Sequence, residues 1–298
     1  MREVTRHQVG EDRIGQALAD IEGRTFDRWH GLRYDTLSIK GLQEMGEELL
    51  DHVGAVTLED PALESAPGRL ALRTAAECSL GVLTLGAFPS GDFEVLFPLI
   101  DRELTSEDFD FGDAADQIPT TGTWVETFAL GLVTGLLWDQ DRMVGPMLKD
   151  DFAPELRPGQ PSSPLNSASQ RPGLAEMDAL CCYLLVETSQ SPGVPPVRKP
   201  EAEELVAAAA RLDEAGVLSP DQRLLRILLD DDQPAFEQAL TRRLLEHRDS
   251  VGPDPTPGSL LPVETITLAA LAVHAHGWEL SVRSGYLPAA LLGGSSQM

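Results

Sequence analysis

Residues 219–250 read SPDQRLLRILLDDDQPAFEQALTRRLLEHRDS, two apolar-periodic runs separated by three aspartates. Ser219 and Gln222 form a capping box with Pro220 at the first helical position, the place where a missing N–H costs nothing. Leu224, Ile227 and Leu228 then fall on one helix face. Asp230-Asp-Asp232 supply the break, since aspartate satisfies the free N–H groups at a helix start. Pro234 opens a second helix with Phe236, Leu240 and Leu244 on its inner face, and His247-Arg248 would close it with positive charge, which the helix dipole favours. Short helices joined by a short connection pack antiparallel, so this stretch sets an α-helical fold.

The same period extends outward in both directions. On one side lie Glu201 to Ala215, with Leu205, Ala208 and Leu212, and Leu174 to Thr188, set apart by the proline-rich break Ser191 to Pro200. On the other, a Pro/Gly loop from Gly252 to Gly258 leads into Pro262 to Ala275, whose Val263, Ile266, Ala270 and Val273 form one stripe. Towards the N-terminus, Ile14, Leu18 and Ile21 share a face, as do Leu42, Met45, Leu49 and Val53, and Pro67 opens a helix running towards Gly86. Thr123-x-x-Glu126 reads as a capping box for a helix from Trp124 to about Trp138. Phe93, Val95 and Phe97 break the pattern by alternating with Asp92, Glu94 and Leu96, which predicts a short β-hairpin or extended excursion. Ala153 to Gly173 is rich in Pro, Ser and Gly and reads as a flexible linker or long surface loop. The expected fold is mainly α: an irregular antiparallel helical bundle or helical-repeat-like array, with a small β-hairpin in the N-terminal half. Its divisions would be an N-terminal lobe over 1–152 with an acidic excursion at 92–116, the linker or loop at 153–173, and a C-terminal lobe over 174–298. The length, 298 residues, admits one body or two lobes.

Composition narrows the function. Apolar residues make up 42% and charged residues 24%, ordinary values for a folding chain. Forty-eight acidic against 23 basic residues leave a formal charge of -25, which repels nucleic-acid phosphate and anionic lipid. No direct nucleic-acid or membrane partner is expected. Twenty of the 23 basic residues are Arg, and abundant Ala, Gly and Pro suggest a GC-rich bacterial genome. Met1 to Arg13 is charged throughout and lacks the apolar core of a secretory signal, so a cytoplasmic location is expected. The longest apolar run, Phe128 to Trp138, falls short of the ~20 residues of a spanning helix. Cys78, Cys181 and Cys182 form no C-x-x-C pair and read as reduced, buried thiols.

The chemical motifs dissolve on inspection. His274 and His276 lie about 200° apart on a helix and cannot share a metal ion, and His276 near the helix end suits the dipole as a cation. His247-Arg248-Asp249 and Asp110-Phe111-Gly112 mimic kinase triplets, but in reversed order and without a Gly-rich loop or catalytic-loop Asn. Asp139-Gln-Asp141 and Asp230-Asp-Asp232 follow one predicted helix and precede another, as caps do. Trp124, Trp138, Trp278 and Tyr286 read as core anchors. No G-x-S-x-G, P-loop or G-x-G-x-x-G occurs. No catalytic residue, metal site or cofactor is therefore expected. What remains is the stretch Asp92 to Asp116, with nine acidic residues against one Arg and Phe109 and Phe111 threaded among them. Apolar anchors in a like-charged rim fit a docking site for a basic partner, giving Asp101, Glu103, Asp108, Phe109, Asp110, Phe111 and Asp113 as candidate contacts.

The run Leu260-Leu-Pro-Val-Glu-Thr-Ile-Thr-Leu-Ala-Ala-Leu-Ala272, followed by Gly277-Trp278 and by Ser281-Val-Arg-Ser-Gly-Tyr-Leu-Pro-Ala-Ala-Leu-Leu292, resembles the immunity protein 49 family of bacterial polymorphic-toxin systems. Ala235 to Leu240 and Leu244 to Arg248 fit the same pattern, and the resemblance covers Ser219 to Leu292 and, more weakly, Trp124 to Leu148. It implies a largely α-helical cytoplasmic protein, encoded beside a toxin, that binds and neutralises that toxin and carries no catalytic residue. A basic nuclease-like toxin domain would suit the acidic surface. Two other classes are a helical adaptor or chaperone holding peptides in a groove between helix pairs, and a hydrolase marked by a deep pocket with convergent carboxylates.

Overall fold

The structure is a computed structural model, and it describes residues 2–87, 92–108, 120–139, 143, 171–185 and 197–293. Within them the chain runs β1 (Arg2–Val4), α1 (Glu11–Leu18), α2 (Ile21–Tyr34), α3 (Ile39–Val56), α4 (Ala66–Ala87), β2 (Glu94–Phe97), β3 (Arg102–Thr105), α5 (Thr121–Val133), α6 (Arg171–Cys181), α7 (Ala202–Glu214), α8 (Pro220–Leu228), α9 (Gln233–Ser250), α10 (Val263–His274), β4 (Val282–Ser284) and α11 (Ala289–Leu292). The protein is mainly α, with strands confined to two-stranded pairs.

The α8–α9 hairpin forms as its caps dictate. Ser219 Oγ accepts from the Gln222 N–H at 3.1 Å while Gln222 Oε1 accepts from the Ser219 N–H at 2.9 Å. Asp232 caps α9 by accepting from the Ala235 N–H at 3.0 Å. Phe236, Leu240 and Leu244 are fully buried. α7 and α10 also match their expected spans, yet α10 is no one-face helix. Thr265 through Ala272 are all buried, and so are most residues of α5, against which α10 packs. Their threonines make this feasible: Thr267 Oγ1 donates to the Val263 carbonyl at 2.8 Å, and Thr127 Oγ1 to the Thr123 carbonyl at 2.9 Å, so neither hydroxyl is left bare. α3 packs along α4 and meets the 3-10 turn Pro257–Leu260. One connected cluster of buried residues runs from Val4 to Leu291.

The predicted β-hairpin is present: β2 pairs antiparallel with β3, Val95 opposite Leu104 and Phe97 opposite Arg102. A second pair was not anticipated. β1 lies parallel to β4, Arg2 to Val4 against Val282 to Ser284.

Several local expectations need correction. Ile21 does not share a helix with Ile14 and Leu18: Asp20 adopts the left-handed conformation (φ 37°) between α1 and α2, its carboxylate accepting from the Gly23 N–H at 3.3 Å. The cap of α5 is Thr120, not Thr123, because Thr120 Oγ1 and Thr123 Oγ1 each accept from the other's N–H. α5 ends at Val133, where Gly135 turns left-handed (φ 74°) before a 3-10 turn at Leu136–Trp138. α6 begins at Arg171, so the last three residues of the Pro/Ser/Gly-rich stretch are helical. Gly173 sits so close to Thr121 that a Cβ there would lie 2.3 Å from Oγ1. Residues 153–170 lie outside the described residues. α6 also stops at Cys181, short of Thr188, and the chain turns so that Leu184 bridges Val197. Cys181 and Cys182 are half-buried; Cys78 is fully buried, and burial pushes its thiol pKa up.

Candidate functional site

The hairpin that carries part of the predicted docking surface is fixed from beneath. Val95 and Phe97 are fully buried, and Gly81 of α4 makes room for the strand: a Cβ at Gly81 would come within 2.6 Å of Val95 Cγ2. The β2–β3 turn then projects outward with Asp101 in a left-handed conformation (φ 52°). Asp101 and Glu103 are both exposed. Asp108 ends the 3-10 turn Ser106–Asp108, while Phe109, Asp110, Phe111 and Asp113 lie outside the described residues.

Beside this turn the structure adds residues the sequence reading passed over. α2 faces the hairpin with Phe26, Trp29 and Arg33 at helical spacing, and Trp29 Nε1 donates to the Glu103 carbonyl at 3.0 Å, tying β3 to α2. The Arg102 guanidinium lies 5.9 Å from the Phe26 ring centre and 5.7 Å from that of Trp29. Arg33 lies 5.9 Å from Trp29 and 5.6 Å from Tyr34. These are cation–π distances. Between α2 and the hairpin turn runs an open groove of about 680 Å³, floored by Trp29, Leu96 and Phe97 and edged by Arg33, Tyr34, Asp101, Arg102 and Glu103. The signal for it was the Phe26/Trp29/Arg33 spacing next to Tyr34, which needs the hairpin in place before it means anything.

A second concavity, about 480 Å³, opens where α5, α8, α9 and α10 meet. Its lining includes Glu126, Asp221, Glu264, Arg243 and His247 over Leu50, Leu130 and Val263, and a smaller hollow of about 160 Å³ continues from Glu126 to Glu47 of α3. Asp221 is held by Arg243 at two points and accepts from Thr265 Oγ1 at 2.6 Å. Glu126 and Glu264 are exposed at the basin's edge, with protein beside them on the basin side. That partial desolvation, with Asp221 and Glu126 nearby, raises Glu264 to about 7. Glu176 on α6 rises to about 7 mainly through burial, against the hydrogen bond that Gln222 Nε2 donates to its Oε2 at 2.8 Å. His247 is not a helix-end cation: its Nε2–H donates to the Ser259 carbonyl at 2.8 Å, and burial lowers its pKa. His276 is likewise lowered by burial while it bridges Tyr183 Oη and Asp231. Among the described residues the basin's lining holds carboxylates and an imidazole but no serine, cysteine or lysine. Among the described residues no group of three or more His, Cys, Asp or Glu is arranged to hold a metal ion, and no helix is long and apolar enough to cross a membrane.

Fold and surface together define a mainly helical protein with a mixed aromatic and charged groove and a carboxylate-lined basin. The family model described as Immunity protein 49 matches residues 60–291, most of the chain, and the protein belongs to that family. No curated protein and no solved structure matches it.

Proposed function

We propose that this chain is a cytoplasmic, non-catalytic immunity protein that binds and neutralises a cognate toxin of a bacterial polymorphic-toxin system, the toxin being encoded beside it. Membership of the Immunity protein 49 family carries this reading. The net charge of -25 supports a basic toxin domain, of the kind that acts on nucleic acid, as the partner. The contacts proposed are the acidic face of the hairpin and the segment after it: Asp101, Glu103, Asp108, Asp110 and Asp113, with Phe109 or Phe111 as an apolar anchor. Exposed carboxylates steer encounter, and a buried anchor governs release.

The test is protection of cells expressing the adjacent toxin gene, together with association rates at low and high salt. Replacing Asp101, Glu103, Asp108 and Asp110 by Asn slows association several-fold at low salt and flattens its salt dependence. A parent protein that neither binds the toxin nor protects against it would falsify the immunity reading. A quadruple variant with unchanged rates at both salt levels removes only the acidic face. An adaptor or chaperone would instead hold extended peptides and leave the folded toxin unbound.

A further inference from the structure

We infer that the groove between α2 and the β2–β3 turn is an anchor site for the toxin, taking a loop that presents an aromatic or long aliphatic side chain beside a basic residue. This rests on the toxin-binding reading above. Three features of the groove lead there. Tyr34 is 62% exposed and Phe26 40%, next to the buried Trp29, so large apolar surface is left uncovered at one place. Arg33 and Arg102 sit over those rings, which offers broad guanidinium faces for a side chain to stack on. Tyr, Trp and Arg are the residues that dominate the centres of protein interfaces, where rigid rings add contact area at low entropic cost.

The rim chooses among occupants. Asp101 and Glu103 are exposed on the groove's rim, equal in number to its two arginines, and the chain around them carries a net charge of -25. A basic flank on the incoming loop complements them. A second copy of this chain would bring acid to acid at -25 each, and nucleic acid would bring phosphate. A folded toxin loop is the occupant that satisfies both the apolar floor and the acidic edge.

The experiment measures dissociation of the purified toxin domain encoded by the adjacent gene, carrying an inactivating substitution, from the parent, from Tyr34→Ala and from Phe26→Ala/Tyr34→Ala. Both side chains are exposed, so thermal melts of the variants should match the parent. The double variant is expected to release the toxin about tenfold faster or more, Tyr34→Ala less so, with association nearly unchanged because no charge is altered. If the parent binds and protects but the double variant dissociates at the parent's rate, the groove proposal fails and the immunity reading stands. A parent that does not bind sinks both. A concentration-dependent dimer of the parent, abolished in the double variant, would assign the groove to a second copy and overturn the toxin assignment.

Discussion

Arg243 grips Asp221 at two points, Nε to Oδ1 at 2.9 Å and Nη2 to Oδ2 at 2.6 Å, and Thr265 of α10 donates to the same Oδ1. Three helices, α8, α9 and α10, thus share one nearly buried carboxylate. Removing one partner leaves the other charge buried without compensation, which costs about 3–5 kcal/mol. Arg243→Ala should lower the unfolding free energy by that order in urea titrations. Replacing both members, as Asp221→Leu with Arg243→Met, should be less damaging than the arginine deletion alone, since desolvation is then no longer demanded. If the double change is the worse of the two, the pair contributes more than its desolvation costs.

A backbone contact gives the second prediction. A Cβ built on Gly54 of α3 would lie 2.0 Å from the Pro257 carbonyl oxygen and 2.6 Å from its carbon. Neither backbone can yield cheaply, so Gly54→Ala should destabilise by about 2 kcal/mol or more. Gly15, inside α1, meets nothing within 4 Å. There Gly15→Ala should stabilise by about 0.5–1 kcal/mol, because only backbone entropy changes. Chemical denaturation of the two variants side by side checks the contrast, and equal effects would contradict it.

What the sequence discloses and what it withholds divides along locality. The α8–α9 hairpin is written in adjacent residues, Ser219 with Gln222 and Asp232 before Gln233, and the β2–β3 hairpin in the alternation around Val95. The β1–β4 pair joins Val4 to Ser284 through three residues per strand, too short for a period and too far apart for any window. The Val263, Ile266, Ala270 and Val273 stripe of α10 did not show that its other faces are buried too, where Thr267 donates to backbone carbonyls and Thr265 to the Asp221 carboxylate. The proposed docking surface was half legible. Asp101 and Glu103 lie in the charge run and stand exposed, but Trp29 and Tyr34 meet them only through folding. The basin was invisible, because Glu126, Asp221 and Glu264 sit on three helices and each alone reads as a surface acid or cap.

Beyond the β1–β4 pairing, the N-terminal segment is tied at His7 by the Tyr286 phenol. Tyr286 Oη accepts from the His7 backbone N–H at 2.9 Å and donates to His7 Nδ1 at 2.6 Å. His7 Nε2 then carries the proton towards Ser259 Oγ at 2.9 Å, a neutral tautomer in keeping with the burial that lowers its pKa. Tyr286→Phe keeps the packing and deletes the latch, so a loss of about 1–3 kcal/mol is expected. Hydrogen exchange should report it as faster exchange at residues 3–7 with little change in α3 or α4. Uniformly faster exchange would mean that the phenol supports the whole fold instead.

The pH dependence of stability should bear the mark of Glu264 at the basin and of Glu176 on α6. Glu176 and Glu264 have folded-state pKa values raised to about 7, from an ordinary 4.5. Between those values the native protein holds protons that the unfolded chain has released, so stability from these groups is full below about pH 4.5 and is lost as pH rises through 7. His7, His52, His247, His274 and His276 act in the opposite sense: burial lowers each, the unfolded chain binds protons first, and their contribution is lost as pH falls below 6.5. A comparison of variant with parent at each pH cancels the histidines. Glu176→Gln/Glu264→Gln has nothing to deprotonate, and the amide oxygen introduced at position 176 can still accept from Gln222. The double variant should therefore melt further above the parent at pH 8 than at pH 5, the gap opening from about pH 4.5 to 7, with most of it from half-buried Glu176 because solvent screens the exposed Glu264. Thermal melts across that range measure it. The same offset at pH 5 and pH 8 would show that both carboxylates titrate as ordinary surface acids.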